Sequence, residues 1–281
     1  MSRSAALVFG FVAMLFVGGC ATQPLDEDIL TILYDRAASF QYPDRNPVIV
    51  IPGFTGSRLV DDTDGQIVWG AFNRTALGFG GDDDLRRFAL PLRPDDPRPP
   101  VRPDGVLDNL ELNVAGLPFE LEAYVPILQA LGTGGYRDEA LARSGAIDYG
   151  DDHFTCFQFD YDWRLDIAEN ARRLHEFIVA KREQVRLGSL RRFEIEPQSL
   201  RFDVVAHSMG ALLLRYYLRY GPEALPDDGP VPEPTWAGAE HIDRAILVGP
   251  PNAGSAVAFR RLVEGVWFTP GVPTAVFGTW P

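Results

Sequence analysis

"VVAHSMGALL", residues 204–213, sets a polar pair, His207-Ser208, between a β-branched apolar run and a leucine-rich one, with Gly210 just beyond. A hydroxyl at the junction of two packing segments has two readings. It is the nucleophile of a strand–turn–helix elbow, or it is the N-cap of a helix with no chemistry of its own. The elbow needs small residues two before and two after the serine, because a larger side chain there would strike neighbouring backbone. Ala206 and Gly210 meet that need, with alanine standing where the G-x-S-x-G pattern has its first glycine.

Working outward, four segments read as buried strands: "PVIVI" (47–51), "FTCFQF" (154–159), "RFDVVA" (201–206) and "RAILVG" (244–249). Helical patterns lie between and after them, at 123–131, 167–186, 211–220 and 256–264. The second carries Ile167, Ala171, Leu174, Phe177, Ile178 and Val185 near helical spacing. The third stops at Gly221-Pro222, a helix terminator. Continuous apolar strands alternating with amphipathic helices predict an α/β protein: a mostly parallel sheet with helices on both faces. Functional residues then belong at the C-terminal ends of strands. Ser208 stands at such an end.

"VIVIPGFTGSRL" (48–59) supplies a second signal, a strand that ends in Pro52-Gly53 and runs on through a loop. In α/β-hydrolases the loop after this early strand gives one oxyanion amide, and the residue after the nucleophile gives the other. The backbone N–H groups of Phe54 and Met209 are therefore the candidates.

"PVIVIPGFTGSRL", "GYRDEAL", "FDYDWRLDIAEN", "VVAHSMGALLLRYYL" and "AILVGPPNAGSAVA" follow one another in that order. Together they resemble the lecithin:cholesterol acyltransferase family, α/β-hydrolases that include phospholipases and bacterial lipoprotein members. The resemblance spans about residues 46–281 and is strongest at Tyr161-Asp162-Trp163-Arg164-Leu165. It implies that Ser208 is the acyl nucleophile, that Phe54 and Met209 hold the oxyanion positions, and that Asn252-Ala253-Gly254-Ser255 is a turn before a lid. Asp162 and Arg164 are expected to be a structural ion pair bracing loops beside the pocket. The reading calls for no cofactor and no metal.

An acylating serine also needs a base, and a carboxylate to orient it. His241 is the one histidine after Ser208, but it precedes "RAILVG". Five or six strand residues put it roughly 16–20 Å from the catalytic edge. His207 points away from its neighbour in an elbow, His153 starts a strand, and His175 lies in a helix. The resembling family carries its Asp and His on two further strands, so the chain is expected to lack the last strands of the fold. Two functions follow. One is a lipid acyltransferase or esterase, of lipase or phospholipase type, working through an acyl-serine. The other is a non-catalytic envelope lipoprotein, or an inactive fragment of such an enzyme, that binds lipid.

Composition bounds the rest. The 281 residues are 46% hydrophobic and carry a net charge of −13. The apolar fraction supports a packed core. The acidity argues against nucleic-acid binding and against electrostatic recruitment to anionic membranes. Arg3, an apolar run from Ala5 to Val17, and Val17-Gly18-Gly19-Cys20 resemble the signal peptide and lipobox of a bacterial lipoprotein. Residues 1–19 are read as the signal, 20–45 as a tether with a short amphipathic segment, and 46–281 as the hydrolase domain. Cys20 would carry the acyl chains and anchor the protein in the envelope, with an outer-membrane home expected because no aspartate follows it. The other cysteine, Cys156, reads as a buried thiol without a disulfide partner. Prolines crowd 91–103 and 222–234, which read as surface excursions.

Overall fold

The computed structural model describes residues 45–70, 87, 89–91, 93, 96–107, 109–114, 117–122, 124–226, 228–256 and 258–260. Its centre is a four-stranded parallel sheet. The strands are β1 (Val48–Ile51), β7 (Cys156–Gln158), β8 (Phe202–His207) and β9 (Ile242–Val248), in the order β7-β1-β8-β9. All four residues of β1 are buried. Successive side chains of a strand point to opposite faces, and the helices sort accordingly. Val48 and Val50 pack with Leu128 of α1 (Val125–Thr133), beside Cys156. Ile49, Ile51, Phe157, Phe202, Val204 and Ala206 join α3 (Ile167–Phe193) and α4 (Met209–Tyr220) in the main core. Helices therefore cover both faces, which is why these strands are apolar without alternation.

The four expected strands and the first three helices are present, with shifted ends. The expected helix at 256–264 is helical at 256 and 258–260, and the rest of it lies outside the described residues. α3 runs well past Arg186, where the sequence pattern fades, and closes at Glu194 in the left-handed region. Gly188 sits inside it because the chain at His153 passes close by: a Cβ there would lie 3.2 Å from the His153 Nδ1. α2 (Glu139–Arg143) is capped by Asp138, whose carboxylate accepts from the Leu141 N–H.

Two features depart from the sequence reading. The proline-rich stretch 91–103 is at the surface, as expected, but it is not all irregular, since β4 (Val101–Val106) begins inside it. With β2 (Ser57–Asp61) and β3 (Ile67–Trp69) it forms an antiparallel sheet in the order β3-β2-β4. Among the described residues β4 pairs only with β2, and an edge strand tolerates Pro103. A hairpin follows, β5 (Asn109–Val114) with β6 (Leu117–Glu122). Second, β9 is not buried. Beyond Ile242 every residue of it is exposed, including Ile246 at 52%. β8 covers one edge of it, and no described strand pairs with the other. No described helix is long and apolar enough to cross a membrane.

Candidate active site

Ser208 follows the last residue of β8 and precedes the first of α4, with φ 51° and ψ −119°. A non-glycine residue at positive φ costs on the order of 1–3 kcal/mol and persists only where its surroundings impose it. Here they do. The Ser208 N–H donates to the Val248 carbonyl at 2.9 Å, and its own carbonyl accepts from the Ala211 N–H at 3.1 Å. Its hydroxyl makes no capping bond to α4. Ser208 therefore does not cap α4 with its side chain, and the backbone has the strand–turn–helix geometry of an elbow.

The small residues are required by contact. A Cβ on Gly210 would lie 2.2 Å from the Pro52 carbonyl oxygen, and Ala206 is fully buried. A Cβ on Gly53 would lie 2.9 Å from the Ser208 Cβ. Strand register explains this closeness. Ile51 pairs with Ala206, so Gly53 and Ser208 each stand two residues beyond a paired position.

The loop after β1 is held on all sides. Tyr161 Oη donates to the Pro52 carbonyl at 3.1 Å. The Gly53 N–H donates to the Tyr124 hydroxyl at 2.6 Å, and the Gly53 carbonyl accepts from Gly56 at 3.1 Å. Thr55 Oγ1 donates to the Phe54 carbonyl, and Trp69 Nε1 to the Thr55 carbonyl at 3.0 Å. The Gly56 carbonyl accepts from Leu107, and the Ser57 carbonyl from Trp163 Nε1 at 3.2 Å. From Gly53 to Gly56, only the amides of Phe54 and Thr55 have no partner among the described residues. Met209 opens α4, where the first amides have no acceptor within the helix. The Phe54 ring is 57% exposed and meets Trp163 edge-on at 4.7 Å.

All four histidines of the chain are described, and none serves the serine. The His207 ring turns to Tyr124, with Nδ1 3.0 Å from its hydroxyl. His241 closes a 3-10 helix (Ala237–His241) just before β9, and His153 lies just before β7. Because the strands are parallel, both stand at the opposite end of the sheet from Ser208, about 20 Å away for a six-residue strand. His153 is buried against Phe193, and burial followed by the charges of Arg137 and Arg192 lowers its pKa to about 4. Burial, then His175 and Arg182, lowers that of His241. His175 Nδ1 is 3.1 Å from the Tyr217 hydroxyl.

Asp162 and Arg164 form the expected brace. Both side chains are shielded from solvent, with Arg164 Nε and an Nη on the two carboxylate oxygens at 2.9 and 2.7 Å. The Asp162 carbonyl accepts from Asn170 of α3. Cys156 is a buried free thiol that donates to Asp138 at 3.2 Å, and burial then that carboxylate push its pKa up. Asn252, in the turn after β9, bonds Arg215 of α4. Among the described residues no group of three or more His, Cys, Asp or Glu is placed to hold a metal. Cys20 lies outside the described residues. Tyr124 and Trp69 escape the sequence reading. Tyr124 sits in "ELEAYVPIL", where it is one more apolar residue at a helix start, 83 residues from its partner His207.

A parallel sheet flanked by helices, with a serine elbow at a central strand end, defines an α/β-hydrolase-like fold. The lecithin:cholesterol acyltransferase family model matches residues 146–273, which include Tyr161-Asp162-Trp163-Arg164, the elbow and the Asn252 turn, and this match supports membership of that family. Among curated proteins none matches it. The match suggests activity of the lipid acyltransferase or phospholipase type, and with it a lipid substrate.

Proposed function

We propose that the protein transfers a fatty acyl group from a phospholipid or other lipid ester by way of an acyl-Ser208 intermediate. The Ser208 Oγ attacks the ester carbonyl and its proton passes to a base. The amides of Phe54 and Met209 hold the oxyanion, the alcohol leaves with a proton, and water or a second alcohol releases the acyl group. One observation carries this reading: a strained serine with an uncommitted hydroxyl adjoins a loop whose backbone polar groups are committed apart from the amides of Phe54 and Thr55. All four histidines are placed elsewhere, so the base is none of them. An alkyl fluorophosphonate should label the full-length protein and leave Ser208→Ala unlabelled. Equal labelling of the two would move the nucleophile elsewhere.

The placement of the histidines also favours a second reading, a lipid-binding protein without turnover. Without a base the serine hydroxyl is a weak nucleophile, and the 281-residue chain should retain only the residual catalysis of a triad knockout, roughly 10³–10⁴ over water. Turnover of p-nitrophenyl esters by the full-length protein, lost in Ser208→Ala, decides for the enzyme.

We place the protein in a bacterial envelope, anchored in the outer membrane by lipid on Cys20. The Val17-Gly18-Gly19-Cys20 pattern supports this. Several acyl chains hold far more firmly than one. Cys20→Ser should move the protein from the membrane to the soluble fraction, and mass spectrometry of an unmodified mature N-terminus would refute the anchor.

A further inference from the structure

Tyr124 is 5% exposed and stands just before α1, outside both the elbow and the β1 loop. Its hydroxyl touches both. It accepts from the Gly53 N–H at 2.6 Å and lies 3.0 Å from His207 Nδ1. It also packs on the loop, because a Cβ on Gly56 would lie 2.9 Å from the Tyr124 oxygen. The Gly53 amide can only donate, so the oxygen accepts there. The hydroxyl's other partner is His207 Nδ1, and which of the two donates follows the His207 tautomer. Burial raises the Tyr124 pKa, which keeps the hydroxyl protonated.

Gly53 is the residue whose rotation aims the Phe54 amide. Its N–H is fixed by Tyr124 and its carbonyl by the Gly56 N–H. Glycine has the widest choice of φ and ψ, so releasing either bond frees the peptide to turn. His207 in turn belongs to the last position of β8, one residue before the serine. A single oxygen atom therefore ties the loop that carries one amide to the strand that carries the hydroxyl.

We propose that Tyr124 is a positioning residue for acyl transfer, bridging Gly53 and His207 so that the Phe54 N–H faces the oxyanion formed at Ser208. The proposal rests on the acyl-serine reading. An oxyanion donor turned out of place costs about 10²–10³ in kcat, and a loosened one less.

The test uses the full-length protein, a soluble ester and a long-chain trifluoromethyl ketone as mimic of the tetrahedral state. Tyr124→Phe should lower kcat at least about tenfold with KM within about twofold, and weaken ketone binding by a factor similar to the kcat loss. His207→Leu should reproduce this, while His207→Asn, whose side-chain oxygen can take the place of Nδ1, should recover most of the activity. The Tyr124→Phe/His207→Leu double variant should be no worse than either single one. Wild-type kcat in Tyr124→Phe, a loss confined to KM, or equal effects of the Leu and Asn replacements would overturn the proposal. If Tyr124→Phe does not fold, the His207 pair decides alone. Ser208→Ala run alongside separates the two levels: turnover that survives it overturns the acyl-serine reading and the proposal together.

Discussion

β7 and β9 are the two edge strands of one parallel sheet, and they meet the solvent differently. On β7, Cys156 and Phe157 are fully buried, and His153 just before it is 3% exposed. The segment from Arg137 to Thr155 folds over that edge. Arg137 accepts backbone bonds from Thr155 and Cys156 and reaches Asp151, and Asp138 collects Gln158 and the Cys156 thiol. Lys181 of α3 clamps α2 through Glu139. On β9, Ile246, Leu247 and Val248 are 52%, 37% and 39% exposed although their sequence is as apolar as that of β8. Apolar composition makes a strand suitable for burial. What covers it is decided by distant parts of the chain.

The largest expected effect contrasts truncation on the two edges. Phe157→Ala should cost about 3–5 kcal/mol of unfolding free energy, as for other buried aromatics. Ile246→Ala should stay within about 0.5 kcal/mol. Urea titrations of both variants measure the difference, and equal losses would break the comparison.

The covered edge should also be the acid-sensitive one. The His153 pKa is lowered from 6.5 to about 4 in the folded chain. The unfolded histidine takes its proton near pH 6.5, and the folded one does not until about pH 4. Its contribution is therefore complete above about pH 6.5 and drains away as pH falls towards 4, by at most about 3 kcal/mol. His153→Leu should flatten that part of the stability profile in urea midpoints taken between pH 7.5 and 4.5. An unchanged slope would assign the acid sensitivity elsewhere.

The smallest effect on stability belongs to the open edge, where the consequence is association. An exposed apolar strand edge templates pairing with other chains, and a lysine there discourages it. Ile246→Lys should leave the urea midpoint of the 281-residue chain within about 0.5 kcal/mol. It should raise the concentration at which light scattering first reports aggregates. Identical scattering would mean that β9 is not where chains meet.

The parts legible in the sequence were those with local signatures. The elbow needs Ala206, Ser208 and Gly210 within five residues, and the β1 loop needs Pro52-Gly53 directly after a β-branched run. The Asp162–Arg164 brace likewise closes over two residues. What escaped was long-range or broke a local rule. β4 contains Pro103 and Gly105, so neither alternation nor β-propensity marks it. Tyr124 acts on Gly53 and His207 from 71 and 83 residues away, and nothing around it hints at either partner. Gly188, in the part of α3 beyond the sequence pattern, lies against the chain at His153, a contact that no helical pattern contains. The exposure of β9 depends on which strands accompany it, and that is invisible within "RAILVG".

The backbone angles of Ser208 have a consequence for anyone who evolves this protein in the laboratory. A serine at φ 51° is held in a conformation that glycine adopts freely. Ser208→Gly therefore removes strain as it removes the hydroxyl, and a gain of about 1 kcal/mol would remain after the extra freedom glycine gives the unfolded chain. A library sorted only for heat resistance or expression would enrich that variant. Any such campaign would need a readout of the proposed acyl transfer at every round, because at this position robustness and the proposed chemistry select opposite residues.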